Sequence, residues 1–196
     1  MGFLDALLGR SKVKRADLDQ LFAVPSAALT LATAGFNPTG VGSVCFKATE
    51  GGAFAQTEAE IRALLDVDAG PPVELTKDGY GYRWLLARHD PDDVAGLVTD
   101  LHAINVSLQD AGFGPSLLCS LVVFDGAVSG EQRRLGLVYL YKRGTFYPFV
   151  PLPGSDQRRD NPVELQVRAL LGDDLRIEAD LSRWFAVWGA PGLTAH

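Results

Sequence analysis

Two cysteines and three histidines are the side chains best suited to nucleophilic or metal chemistry: Cys45, Cys119, His89, His102 and His196. Their spacing assembles no local site. No HxxxH, HExxH or CxxC pairing occurs, so a zinc ion would need ligands drawn from distant segments. A cysteine joined to His89 or His102 would give a thiol–imidazole pair, but only tertiary contact could unite them. Both cysteines lie in apolar runs, Val44-Cys45-Phe46 and Leu118-Cys119-Ser120-Leu121, with no cation or helix start beside them to activate a thiol. They read as buried, unlinked, inert core thiols. Asp92-Asp93 resembles a carboxylate pair, yet a place in the first turn of a helix is sufficient reason for both. Gly40-Val41-Gly42 lacks the third glycine and the following helix of a phosphate-cradling loop. The expectation is therefore no catalytic residue, no metal ligand and no cofactor. The competing reading is a small enzyme with a cysteine-based or composite acid/base site. It would require a polar pocket with Cys45 or Cys119 in hydrogen-bond reach of a histidine.

Charge points to surfaces instead. The 196 residues carry a net charge of −6, but Arg10, Lys12, Lys14 and Arg15 against Asp5 make residues 1–15 +3 and the remainder −9. A body that acidic is a poor nucleic-acid binder, and no nucleic-acid partner is expected. Phe3, Leu4, Leu7 and Leu8 fall on one stripe of a short helix ahead of those cations, the pattern of a segment that meets an anionic membrane surface or an acidic amphipathic partner. The alternative is a terminal helix docked on its own core or frayed in solvent. Arg133, Arg134, Lys142, Arg143, Arg158 and Arg159 form three cationic pairs in loops or at a hairpin tip. If those loops meet, they make a basic patch for a partner; if not, they are solvated ends. No apolar run approaches the ~20 residues of a spanning helix, and residues 3–8 are too short for a signal peptide. A cytoplasmic protein, peripheral at the inner face of the membrane, fits these features.

The elements that must position these residues are hairpins and helices. The stretch Arg133–Pro151 reads as a hairpin at the middle of a sheet, turning at Lys142-Arg143-Gly144-Thr145, with Pro148 marking an edge or bend. Before it come a short helix stopped by Pro25, a strand over residues 27–33, a turn at Asn37–Gly40 and a strand over 41–48. A helix over 54–66 and a hairpin through Asp78-Gly79 follow. The clearest helix is capped by Asp90 with Pro91 at its first position, carries Val94, Leu97, Val98, Leu101, Ile104 and Leu108, and ends at Gly112. Leu117–Phe124 reads as a strand covered on both faces, Asp125–Gln132 as a polar loop, and Asn161-Pro162-Val163-Glu164 as the cap, first-turn proline and capping-box acid that start a last helix. Trp184, Phe185 and Trp188 read as a tail packed back on the domain or an exposed docking ridge. The sum is an N-terminal segment, residues 1–15, and a single α+β domain over 16–196, with a mainly antiparallel sheet packed by three main helices.

Several stretches together resemble the actinobacterial family PspA-associated protein B: Met1–Arg10, Thr39–Phe46, Asp90–Leu118, the Arg133–Pro151 hairpin, Arg158–Asn161 and Leu181–Leu193. The resemblance implies a place in the phage-shock envelope-stress system, beside a PspA-like protein and a membrane zinc peptidase of the HtpX type. It implies no reaction and no site residues. On that footing the chain is expected to be a non-enzymatic adaptor. A secretion-chaperone-like binding module, which would be a homodimer, is the other non-enzymatic reading.

Overall fold

The computed structural model describes residues 16–47, 73–154 and 157–193, and singly Ala59 and Ala63. The expected helix over 54–66 falls almost wholly outside them, helical at those two positions, and residues 1–15 lie outside altogether.

Six strands form one antiparallel sheet in the order β2-β3-β1-β4-β5-β6. They are β1 (Asn37–Lys47), β2 (Glu74–Lys77), β3 (Tyr82–Arg88), β4 (Leu117–Val128), β5 (Glu131–Leu140) and β6 (Thr145–Phe149). Three α-helices are described: α1 (Val24–Thr33), α2 (Val94–Leu108) and α3 (Asn161–Leu170). One sheet face packs on the helices through Leu21, Leu31, Leu97, Leu101, Phe124 and Tyr139. The other is covered by the chain end, where Trp184, Ala190 and Leu193 join Trp84, Leu121, Tyr147 and Phe149. An α+β domain with an antiparallel sheet is thus what the chain forms, with β4 buried from both sides as its apolar run requires.

Six local expectations are corrected. Residues 27–33 are helix, not strand: Val24, Ala27, Ala28 and Leu31 are the buried positions, at helical spacing, and Leu29 is left 74% exposed. The short helix ahead of Pro25 is a 3-10 helix, Leu18–Ala23, and Pro25 starts the α-helix that follows directly, as a first-turn proline without a needed N–H can. Asn37–Gly40 is the beginning of β1, which passes a register shift between Pro38 and Gly42 instead of turning. The loop at 125–132 is paired strand closed by Ser129-Gly130, both at positive φ, a tight turn that keeps the right-handed twist of β4 and β5. The caps sit one to three residues away from expectation. The Asp93 side chain accepts from Gly96 N at 2.8 Å and Asp160 from Val163 N at 3.3 Å, because only a residue outside the helical φ/ψ can turn its side chain back to those donors.

The sixth concerns the hairpin. β5–β6 lies at one end of the sheet, not its middle, and β6 is the outer strand. Its open side is covered by residues 176–178: Phe146 N donates to Arg176 O, and Glu178 N donates to Phe146 O. Pro148 fits there because it lacks the N–H that a further strand would need.

Candidate functional site

The chain end does not seal the sheet. Between residues 183–188 and the strands lies an apolar cleft of about 750 Å³, with Cys45, Trp84, Cys119, Leu140 and Tyr147 among its lining. The tail is held along one side of it. Trp184 stacks on Tyr147 at 5.8 Å and its indole N–H donates to Glu178 O at 3.0 Å, while the Tyr147 hydroxyl donates to Phe185 O at 2.8 Å. These bonds turn Phe185 outward, 61% exposed, and leave Trp188 half-buried, edge-on to Phe149 at 4.9 Å. The three tail aromatics therefore divide into one core plug, one exposed ring and one rim residue. Opposite them the Asp78 carboxylate accepts from the backbone N–H of Tyr80 and Tyr82 and, at 2.9 Å, from the Trp84 indole, which fixes the aromatic hairpin β2–β3 as the far wall. A second cleft, also about 750 Å³, adjoins at Tyr80 and Trp188 and is lined by Arg133, Arg134, Pro151 and Gln157.

Cys45 and Cys119 are both buried and free. They are direct partners across β1 and β4, their side chains on the same face. The hydrogen bond between the thiols, then burial, push the Cys45 thiol well above its ordinary range. The histidines have other partners. His89 lies between Asp93 and Asp100, at 3.0 and 2.7 Å. Although burial disfavours its charge, the two carboxylates raise it above 6.5 overall. His102 packs on Phe22 with ring centroids 4.8 Å apart, on the helix side of the sheet. Among the described residues neither is hydrogen-bonded to a cysteine, and the lining of the cleft is mainly apolar. Among the described residues no group of three or more His, Cys, Asp or Glu side chains gathers as metal ligands.

The six loop cations divide between two places. Arg133 and Arg134 begin β5, and Lys142 and Arg143 follow its far end, with about 23 Å of strand from Arg133 to Leu140 at ~3.3 Å per residue. Arg159 joins the first group and Arg158 stands beside it on the surface. Most meet carboxylates: Arg133 with Glu131 and Asp160, Arg134 with Asp125, Arg143 with Glu178, and Arg159 with Glu164. Arg134 also donates to Gly192 O and so ties down the chain end. The hairpin tip does adjoin the apolar cleft, where Lys142 and Arg143 form part of its wall. The contact segment Phe3, Leu4, Leu7, Leu8, Arg10, Lys12, Lys14 and Arg15 lies outside the described residues. Asp17, just after it, touches the same tip, its carbonyl accepting from the Tyr139 hydroxyl at 2.7 Å.

Sequence reading missed the thiol pairing and the wall formed by Tyr80, Tyr82 and Trp84. The aromatic alternation around Asp78-Gly79 was a usable signal for the wall. Nothing local signals the pairing, because it depends on register between strands about 70 residues apart.

Glu178 is the polar anchor of the cleft's edge. Burial alone would raise its carboxyl, but Asp180 N–H, the Thr145 hydroxyl at 2.9 Å and Arg143 at 2.7 Å together bring it below the usual carboxylate value. A depressed acid stabilises the folded state above its ordinary titration range and loses that contribution as pH falls through the folded value. Urea unfolding over an acid pH series should therefore show a shallower decline for Glu178→Gln than for wild type. Equal slopes would contradict the assignment.

A one-domain α+β fold, with an antiparallel sheet carrying helices on one face and an apolar cleft on the other, is the class these features define. The family model for PspA associated protein B matches residues 1–192, and the chain belongs to that family. Comparison with curated proteins and with solved structures returned no match. Among the described residues no helix is long and apolar enough to cross a membrane.

Proposed function

We propose that the protein is a non-enzymatic adaptor of the PspA envelope-stress system. It works in the cytoplasm, peripheral to the inner face of the membrane, and engages a PspA-like protein, alone or with an HtpX-type membrane zinc peptidase. The observation that carries this reading is the cleft on the tail face. Its walls are mainly aromatic and aliphatic with Lys142 and Arg143 at one side, its two cysteines face each other across the strands, and an exposed Phe185 stands at its edge. Such a surface suits an apolar protein segment, since interface energy concentrates on buried aromatic anchors. The family name supplies the pathway. Residues 1–15, with their apolar stripe and four cations, supply the membrane-facing foot.

Binding of the purified PspA-like protein from the same cell tests this. Phe185→Asp should keep the circular dichroism spectrum of wild type, because the ring is exposed, yet weaken binding at least about tenfold, some 1.4 kcal/mol. Leu4→Asp with Leu7→Asp should abolish flotation on anionic vesicles while the domain stays folded. Unchanged affinity in the cleft variant would sink the adaptor reading of the cleft, and turnover of a small substrate in it would favour the enzyme.

A further inference from the structure

We propose that Cys45 and Cys119 form a reversible thiol–disulfide site, in which low-molecular-weight disulfides entering through the tail-face cleft oxidise the pair to a cross-strand disulfide. Taken singly each thiol is an inert core residue, and that was the sequence expectation. The fold changes the chemistry by pairing them.

Three observations carry the assignment. The first is register: Cys45 and Cys119 are direct antiparallel partners with their side chains on one sheet face. Directly opposed residues have Cα atoms about 4.5 or 5.5 Å apart, and a disulfide accepts about 4.4–6.8 Å. The second is a local irregularity: Cys45 pairs with Cys119 but Phe46 pairs with Leu117, so Leu118 is an extra residue on β4. A bulge beside the pair loosens the ladder where the strands must adjust. The third is access. Both cysteines line the cleft, together with Tyr147 and Trp84, and Lys142 and Arg143 stand in the same wall where an anionic disulfide such as that of glutathione would enter. The chain holds no other cysteine, so the two have no competing thiol partner within the molecule.

The exchange balances in two steps. The Cys119 thiolate attacks one sulfur of the disulfide, forming a Cys119 mixed disulfide and releasing the first thiolate. Cys45 then attacks the Cys119 sulfur and the second thiolate leaves. The two protons and two electrons of the dithiol end on two molecules of free thiol. Cys45 suits the second role. It lies directly across the strand pair from the Cys119 sulfur that it must attack.

The full-length protein, equilibrated anaerobically in glutathione and glutathione disulfide mixtures, tests this by intact mass under native conditions. The expected product has lost two hydrogens and retains no glutathione. Cys45→Ser should stop at a single glutathione adduct on Cys119, and Cys119→Ser should keep its starting mass. Persistence of both thiols at every ratio, a stable adduct on the wild type, an intermolecular dimer, or oxidation no faster than global unfolding would each overturn the proposal.

Discussion

Gly40→Ala should destabilise the domain by at least about 3 kcal/mol, measured by urea unfolding, and should lower the yield of folded protein. Gly40 sits at φ +73 in the irregular part of β1, a conformation costly for any residue with a Cβ. A Cβ built there would lie 2.1 Å from the backbone carbonyl oxygen of His89, far inside contact distance. That carbonyl cannot swing aside, because His89 N donates to Gly40 O at 2.8 Å and locks the two backbones together. Gly42 makes a gentler demand on the helix face, where a Cβ would be 3.0 Å from Leu101 Cδ1 and 3.1 Å from Leu97 Cδ1. Gly42→Ala should therefore cost less, since those leucine ends can shift. Equal losses for the two would show that strain at Gly40 is not the cause. The pair of glycines that could pass for a phosphate loop thus serves backbone packing.

Glu164→Ala should cost about 3–5 kcal/mol, the range for breaking a buried ion pair and stranding its partner. The Glu164 side chain is 3% exposed and meets Arg159 Nε at 2.9 Å, and its same oxygen accepts from Val150 N at 2.8 Å. Arg159 in turn donates to Trp184 O at 2.7 Å and lies over the Phe149 ring at 4.9 Å. Removing the carboxylate leaves the Arg159 Nε–H and the Val150 N–H without an acceptor and the guanidinium without its counter-charge, and loosens the join between α3, β6 and the tail. Replacing both partners by methionine should recover most of the loss, because the uncompensated charge is then gone. The pH dependence has a defined sign. Burial raises the Glu164 carboxyl, with Arg159 and Val150 N–H offsetting it only in part. The folded state therefore holds this proton more tightly than the unfolded chain, and stability falls as pH rises through the folded value. Glu164→Gln should remove that slope and keep the amide oxygen as acceptor. Chemical denaturation of the three variants across a pH series checks both claims.

The expected capping-box role for Glu164 shows where local reading stops. A Glu three residues after a cap residue commonly reaches back to its own helix start. Here the acid instead accepts from the Val150 N–H, just past the end of β6, and pairs with Arg159. The choice between the two acceptor roles belongs to packing, not to the Asn161–Glu164 sequence. The same holds at residues 27–33, where alternation and helical spacing share Ala27 and Leu31. What separates them is Leu29, which alternation buries and the helix exposes.

By itself the sequence determined the α+β class, the long α2 stripe, the twice-covered β4 and the aromatic hairpins, because period and turn chemistry act over a few residues. It determined the burial of both thiols, since apolar strand context is also local. Tertiary structure alone decided that the β5–β6 hairpin ends the sheet, that the six loop cations split across its two ends, and that Cys45 faces Cys119. Each of these depends on which strand lies beside which and in what register. Strand order and register follow from the total burial over the whole sheet, in which residues 37–47 and 117–128 compete for neighbours far along the chain.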